Sequence, residues 1–522
     1  MKRKTLIFSI ALGIIGDILF WNKGQGIAFF IFIFFILFFF FLTLKETHLS
    51  PHRKGYIFLI PIFFFALMGF VLSEPVVSFL NRVVTFLLIG VWMASFEKGN
   101  WLRFGLADYA LSGIRFGFNL ISFPWLRSAN LGLFPDHKKE TSDGIKPLLR
   151  GFAIALPILL LLSALFASAD MIFADQVVNL WKFIAIESFG EYLLRAFLIF
   201  LFANFFLGLL VFLAKNREKE SYYGENNPLL KPFLGPIESG IVLSSVVLLY
   251  LTFIVLQFRY FFFNQSAIIK LGYTYAEYAR RGFGELIATS VISLTLILTL
   301  KTITIETRNK KSHFLSWLNI GLILCNLIVL VSAFIRLNLY ESAYGFTRLR
   351  IYSHVFIIWL GILLVASGVL IWKNKIRLIA NISLVFIIGF TATLNLINPD
   401  QLIVIRNVQR TLIGKPLDSS YLGSLSSDAL PALVKSYISM PSSKSTNISL
   451  GAALVCNQFN NQAQLADTRW QSFNLSHDRA RKQLSGISHL LSEYQITEEN
   501  WNILIEDAEG NETFCNRDLF FD

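Results

Sequence analysis

The sequence predicts an all-α fold: a polytopic bundle of about eleven transmembrane helices, then a small, mainly helical extracytoplasmic domain. Three observations carry that expectation. The composition is 55% hydrophobic and only 15% charged, with mean hydropathy +0.59, whereas soluble domains carry about 25% charged residues. Runs such as IAFFIFIFFILFFFFL (27–42) are too long and uniform for a water-soluble core, and roughly 20 apolar residues cross a bilayer. After residue 397 no such run recurs.

In order, the apolar segments are 5–20, 27–44, 56–73, 76–95, 151–169, 192–214, 238–258, 285–301, 315–336, 353–372 and 378–397. Each is expected to be helical, because backbone polar groups in hydrocarbon must find partners within their own segment. The first follows MKRK, lacks a small-residue cleavage site and is read as a retained anchor. Its Asp17 falls near the outer end, within reach of water. The third and fourth are divided only by SEP (73–75), which makes them a hairpin. Loop charge orients the set. With the N-terminus inside, cytoplasmic pieces hold 25 Lys and Arg and the opposite loops 9, so the chain reads N-terminus in and C-terminus out. The cytoplasmic piece 97–150 is basic and aromatic and is expected to lie on the inner leaflet.

Three regions follow: 1–149 with the N-terminal helices and basic loop, 150–397 as the transmembrane core, and 398–522 as the soluble domain. The last region has ten Lys and Arg against fourteen Asp and Glu. Asn398-Pro399-Asp400 ends the final span, since proline disfavours helix in the residue before it. Ser427 or Asp428 is placed to cap a helix that takes Pro431 in its first turn, and 478–494 reads as a further helix. Cys456 and Cys515 lie in this domain and are compatible with a disulfide in an oxidising compartment; the alternative is two buried free thiols. Cys325 sits in an apolar run as a small buried hydrophobe.

Reaction signatures are missing from the sequence. It has no phosphate-cradling GxxxxGK[ST], no GxSxG, no HExxH and no GxGxxG after a strand. The seven histidines are scattered singly, and His354 reads as an interfacial polar residue. No metal and no cofactor is expected, and the basic residues beside membrane spans need no nucleic acid to explain them.

What stands out is arginine among aromatic residues on the side where positive charge is disfavoured. YTYAEYARRGFGE (273–285) carries Tyr275, Glu277, Tyr278, Arg280 and Arg281. NLYESAYGFTRLR (338–350) carries Tyr340, Glu341, Tyr344, Arg348 and Arg350, and Arg406 and Arg410 follow the last span. Guanidinium forks bind carboxylate and phosphate bidentately, so these six arginines are candidates for an anionic lipid headgroup, a lipid-linked phosphate or an envelope protein partner. The bland alternative is interface decoration, because tyrosine and snorkelling arginine gather at membrane surfaces anyway. An enzyme would use the arginines on a phosphate and Glu277, Glu341 or Asp17 as base. A transporter is the third class, although no internal repeat is visible.

The three motifs, with LDSSYLGSLSSDALPAL after the last, resemble the bacterial polytopic membrane proteins grouped as domain of unknown function 4173, with the related 4153 group second. The resemblance covers roughly residues 150–435 and implies a bacterial inner-membrane protein without an assigned activity. It supplies no catalytic residue.

Overall fold

The computed structural model describes residues 2–24, 26–47, 52–96, 100–105, 189–218, 232–263, 283–305, 313–439, 444–499, 502–507, 510 and 512–515, with isolated positions in 109–118 and 155–176. Nine helices among them are long and apolar enough to cross a membrane. The chain is a multi-pass membrane protein.

Numbered along the described residues, the helices are α1 (Lys2–Phe20), α2 (Ala28–Thr47), α3 (Leu59–Val71), α4 (Pro75–Ala94), α5 (Phe189–Glu218), α6 (Pro236–Phe263), α7 (Phe283–Ile303), α8 (His313–Tyr344), α9 (Arg348–Trp372) and α10 (Leu378–Ile397). A 3₁₀ turn, Arg53–Phe58, leads into α3. The expected span at 151–169 lies outside the described residues. The first expected span is the helix α1, yet it is not among the nine. Its basic first turn and Asp17 leave no eighteen-residue stretch with fewer than three charges.

The chain divides into two compact units. The first contains residues 1–23, 32–50 and 115–216. There Asp17 is only 3% exposed, and Arg195 of α5 grips it, with Nη2 to Oδ2 at 2.7 Å and Nε to Oδ2 at 3.1 Å. This corrects the expectation of a water-reached interfacial acid: a buried carboxylate is tolerable only when paired and hydrogen-bonded, and the partner sits 178 residues away. Close approach of α1 to α5 needs Gly13, whose added Cβ would collide with the Ile199 carbonyl. Small residues let membrane helices pack in this way.

The second unit contains residues 24–31, 51–114 and 217–522. Glu74 caps α4 by accepting from the Val77 amide at 2.5 Å, and Pro75 occupies the first turn, where a missing N–H costs nothing. α4 is locked to α10 by a reciprocal pair of buried amides, Asn81 and Asn395, at 2.9 and 2.7 Å. α6 to α10 share a core that includes Leu243, Ile297, Leu322, Leu364 and Ile379. α8 continues two turns past the expected end at 336, so NLYESAY is helix and the turn is confined to Gly345–Thr347.

Asn398 is left-handed (φ 49°) and both ends α10 and caps α11 (Pro399–Thr411), accepting from the Gln401 amide. Asparagine tolerates this region better than most residues. α12 (Ser419–Gly423), α13 (Leu430–Ser439), α14 (Lys444–Asn460), α15 (Gln462–Ala466) and α16 (Leu475–Leu491) follow. The cap before α13 differs from expectation. Ser426 caps a short 3₁₀ turn, Ser427–Ala429, which frees Asp428 for a tertiary role. Asn474 caps α16, accepting from Ser476 and His477, and the helix starts at Leu475, three residues ahead of the expected 478.

The chain then forms an antiparallel sheet in the order β1 (Gln495–Glu499), β2 (Asn502–Glu506), β3 (Glu512–Cys515). Ile505 opposes Ile496 and Thr513. Cys456 on α14 is bonded to Cys515 on β3, with Cα atoms 5.5 Å apart. The core beneath joins Ile403, Leu433, Leu450, Ala453 and Ile503 to Ile351 of α9. A large aliphatic side chain that leaves water completely on folding contributes about 1.5–3 kcal/mol.

Candidate functional site

The motifs that open and close helices supply a buried charge cluster. Arg348, the first residue of α9, forks onto Asp400 in the first turn of α11, Nε to Oδ1 at 2.8 Å and Nη2 to Oδ2 at 2.6 Å. Asp400 is fully buried and also accepts the Ser426 amide at 2.8 Å. Glu74, the cap of α4, brings Oε1 within 3.7 Å of Arg348 Nε. Asp428 Oδ2 accepts the backbone amides of Ser73 and Glu74, both at 2.8 Å. The Arg348 amide donates to the Tyr421 hydroxyl at 2.8 Å. Four segments far apart in sequence are thereby fixed to one another.

Two carboxylates, Asp400 and Glu74, face one guanidinium, a third, Asp428, is held by the Glu74 amide, and the three cannot all be charged cheaply. Burial, then the charge of Asp400, pushes the Glu74 carboxyl above its ordinary range. Burial likewise raises Asp428. Burial would raise Asp400 as well, but the Arg348 charge and hydrogen bonds outweigh it and hold it low. The cluster therefore favours one ion pair and two carboxyls biased toward neutrality. Removing one partner of such a buried pair typically costs about 3–5 kcal/mol.

Beside this cluster opens a cavity of about 530 Å³. Its wall is mostly neutral and hydrogen-bonding, with Ser73 and Ser424 near Asn460, Asn461, Gln464 and Asn474. Three ionisable groups also line it, Arg348, Asp467 and His477. Arg348 is engaged by Asp400, and Asp467 by Arg469 with two contacts at 2.8 Å. Burial, then the charge of Arg481, pulls His477 down to about 4, so the imidazole is neutral at ordinary pH.

The remaining arginine candidates fall elsewhere. Arg350 donates to the Gly345 carbonyl and stands 3.9 Å from the centre of the Tyr340 ring. Arg410 donates to the Ser342 and Ala343 carbonyls, both at 3.0 Å, and Asn407 clamps Phe346 through both its backbone groups at 2.9 Å. The second and third sequence motifs are thus one assembly around the α8–α9 turn, with Tyr344 stacked edge-on to Tyr340 at 5.2 Å. Arg406 is exposed on α11. Of the candidate bases, Glu341 is paired with His354 at 2.9 Å and Asp17 with Arg195. Tyr275, Glu277, Tyr278, Arg280 and Arg281 lie outside the described residues.

Sequence reasoning overlooked Glu74, Asp400 and Asp428 as a group. Each had a visible signal, an acid close to a proline at the end of an apolar run or a short loop, but was read only as a helix boundary. Among the described residues no cluster of three His, Cys, Asp or Glu side chains is arranged to hold a metal ion.

No curated protein and no solved structure matches the chain. One family profile does, that of the Domain of unknown function (DUF4153), over residues 59–436. The 4173 group, placed first by resemblance, is not the one matched, and the match begins well before residue 150. With most of its length covered, the chain belongs to the DUF4153 family.

Proposed function

We propose that the protein recognises the uncharged, hydroxyl-bearing headgroup of a membrane lipid, such as a glycosyl group, in the cavity beside Arg348 on the extracytoplasmic face. The observation that carries this reading is the neutral, amide- and hydroxyl-rich wall at the ends of membrane helices. Serine and asparagine side chains satisfy sugar hydroxyls without needing a counter-charge. A phosphate would need a free cation, and the lining guanidinium already faces Asp400 and Glu74.

The test is lipid retention in nanodiscs, read by native mass spectrometry with glucosyl-diacylglycerol and phosphatidylglycerol offered as probes. Gln464 is exposed on the cavity wall. Gln464→Trp fills the space and is expected to lower glucosyl-lipid retention by about tenfold, equivalent to 1.4 kcal/mol, while Gln464→Ala leaves most of it. Equal retention by wild type and Gln464→Trp would overturn the reading.

A second reading, contact with anionic lipid, is favoured by α11 and the turn after it. Leu412 and Ile413 are 73% and 74% exposed, with Arg406 and Lys415 nearby in sequence. Exposed apolar residues beside cations suit an anionic membrane surface. Arg406→Gln with Lys415→Gln is expected to reduce phosphatidylglycerol retention and spare the glucosyl lipid.

A further inference from the structure

The bundle of α6, α7, α8 and α9 contains a series of polar groups that neither the cavity nor the family match explains. At one end Ser239 and Thr304 share a hydrogen bond of 2.6 Å. Farther along, the Tyr250 hydroxyl meets Ser293 at 2.6 Å and Asn326 at 3.2 Å. Gln257 then donates to Ser332. At the other end Glu341 and His354 pair at 2.9 Å. α6 and α8 run parallel, so these contacts mount in register. From Asn319 to Glu341 α8 rises about 33 Å at 1.5 Å per residue, close to the hydrocarbon thickness of about 30 Å.

Interhelical hydrogen bonds also serve as glue in membrane bundles. Glue alone does not account for the orphan atoms. Among the described residues Asn319 Oδ1, Ser367 Oγ, Glu341 Oε1 and His354 Nδ1 are buried with no hydrogen-bond partner. Asn319, Ser367 and Glu341 are 3%, 0% and 4% exposed. Unsatisfied polar atoms in hydrocarbon are costly, and water is the molecule that satisfies them. Successive levels on α8 (319, 326, 332, 341) lie about 9–14 Å apart, and Ser367 stands thirteen residues past His354 on antiparallel α9, between the two ends of the series. Short water chains span such gaps.

We propose that this bundle conducts protons, with the Glu341–His354 pair as the site where a proton is taken up or released at the outer end. In the tautomer that directs Nε2–H at the Glu341 carboxylate, the Nδ1 lone pair is unshared and can accept a proton. A hydronium ion transfers its proton to Nδ1, giving water and an imidazolium held by the carboxylate; loss of one proton to the water chain restores the neutral ring. Among the described residues, the ionisable groups at this end of the packed helices are Arg336, Tyr340 and Tyr344 on α8, Arg348, Arg350 and Tyr352 on α9 and Glu285 at the start of α7. α10 contributes none. Ionisable residues inside a membrane bundle commonly mark such paths.

Proteoliposomes of the full chain, loaded with a pH-sensitive dye and given a potassium–valinomycin potential, test this. Wild type is expected to acidify about a hundredfold faster than protein-free vesicles, the lower end of what a positioned proton-transfer group supplies. Glu341→Gln and Asn326→Leu should return flux to the protein-free level, and Asn326→Ser should retain it. Melting and gel filtration check that the variants are folded; should Asn326→Leu fail to fold, the isosteric Glu341→Gln decides the outcome. Wild-type vesicles no faster than protein-free ones, or a folded Glu341→Gln at wild-type flux, would overturn the proposal. Proton flux and lipid retention are separate readouts, so this proposal and the headgroup reading fail separately.

Discussion

His477 stands in the first turn of α16 and lines the cavity. Burial disfavours its cation, and so do Arg481 and the positive end of the helix dipole. With a folded pKa of about 4 against an ordinary 6.5, the folded state binds the proton less well than the unfolded chain. Its contribution to stability is therefore full above 6.5 and is lost as pH falls toward 4. Glu74 and Asp428 act in the opposite sense: their raised pKa values favour the fold at low pH, and that contribution fades as pH rises through them. Asp400, held low, matters only below the usual carboxylate range. Comparing His477→Gln with wild type isolates the imidazole. Between pH 6.5 and 4 the wild-type melting temperature should fall more steeply than that of the variant; parallel curves would mean that the ring is solvated and ordinary.

At the scale of elements, the α8–α9 turn shows what was legible and what was not. The motifs AYGFTRLR and NPDQLIVIRNVQR stood out in the sequence because arginine is rare on that side of the spans. Nothing in their spacing revealed that they embrace, since Phe346 and Asn407 are 61 residues apart. The end of α8 was misplaced for a related reason. NLYESAY is polar and looks like loop, but Tyr340 meets Arg350 and Glu341 meets His354, and these tertiary partners carry the helix onward. Gly345 makes the turn possible. Its φ is +92°, and an added Cβ would stand 2.5 Å from Arg410 Nη1 and 2.8 Å from Asn407 Oδ1. Gly345→Ala should lower stability by about 2–4 kcal/mol, from left-handed backbone strain and the displaced hydrogen bonds together. Thermal melting in detergent measures it. A loss below about 0.5 kcal/mol, the scale of an ordinary surface change, would show that the turn relaxes freely.

For the whole molecule, the helical, membrane-spanning architecture was readable because hydrocarbon imposes one solution on every apolar run. Side chains that join spans were not, because a buried acid and its arginine leave no periodic trace. Sidedness now has a geometric argument beside the charge count. The connection before α2 meets the tail through Gly24 and Ile27, which donate to Ser472 and Phe473. The α3–α4 turn meets it through Asp428 and Asn474, and the α8–α9 turn through Tyr421 and Asn407. These connections must share one side of the membrane, so an even number of crossings separates each from the next. Two helices, α2 and α3, separate the first pair. Five described helices, α4 to α8, separate the second, and the sequence expects one further span at 151–169, which lies outside the described residues. With 25 basic residues counted in the pieces of the other side, the positive-inside rule predicts that the shared side and the tail face outward. Gln483 is exposed on α16, whereas the native cysteines are bonded or buried. Gln483→Cys should react with a membrane-impermeant maleimide in intact cells of a bacterial host, at a level that permeabilisation does not raise. Labelling seen only after permeabilisation would turn the tail inward and remove the oxidising compartment that its disulfide needs.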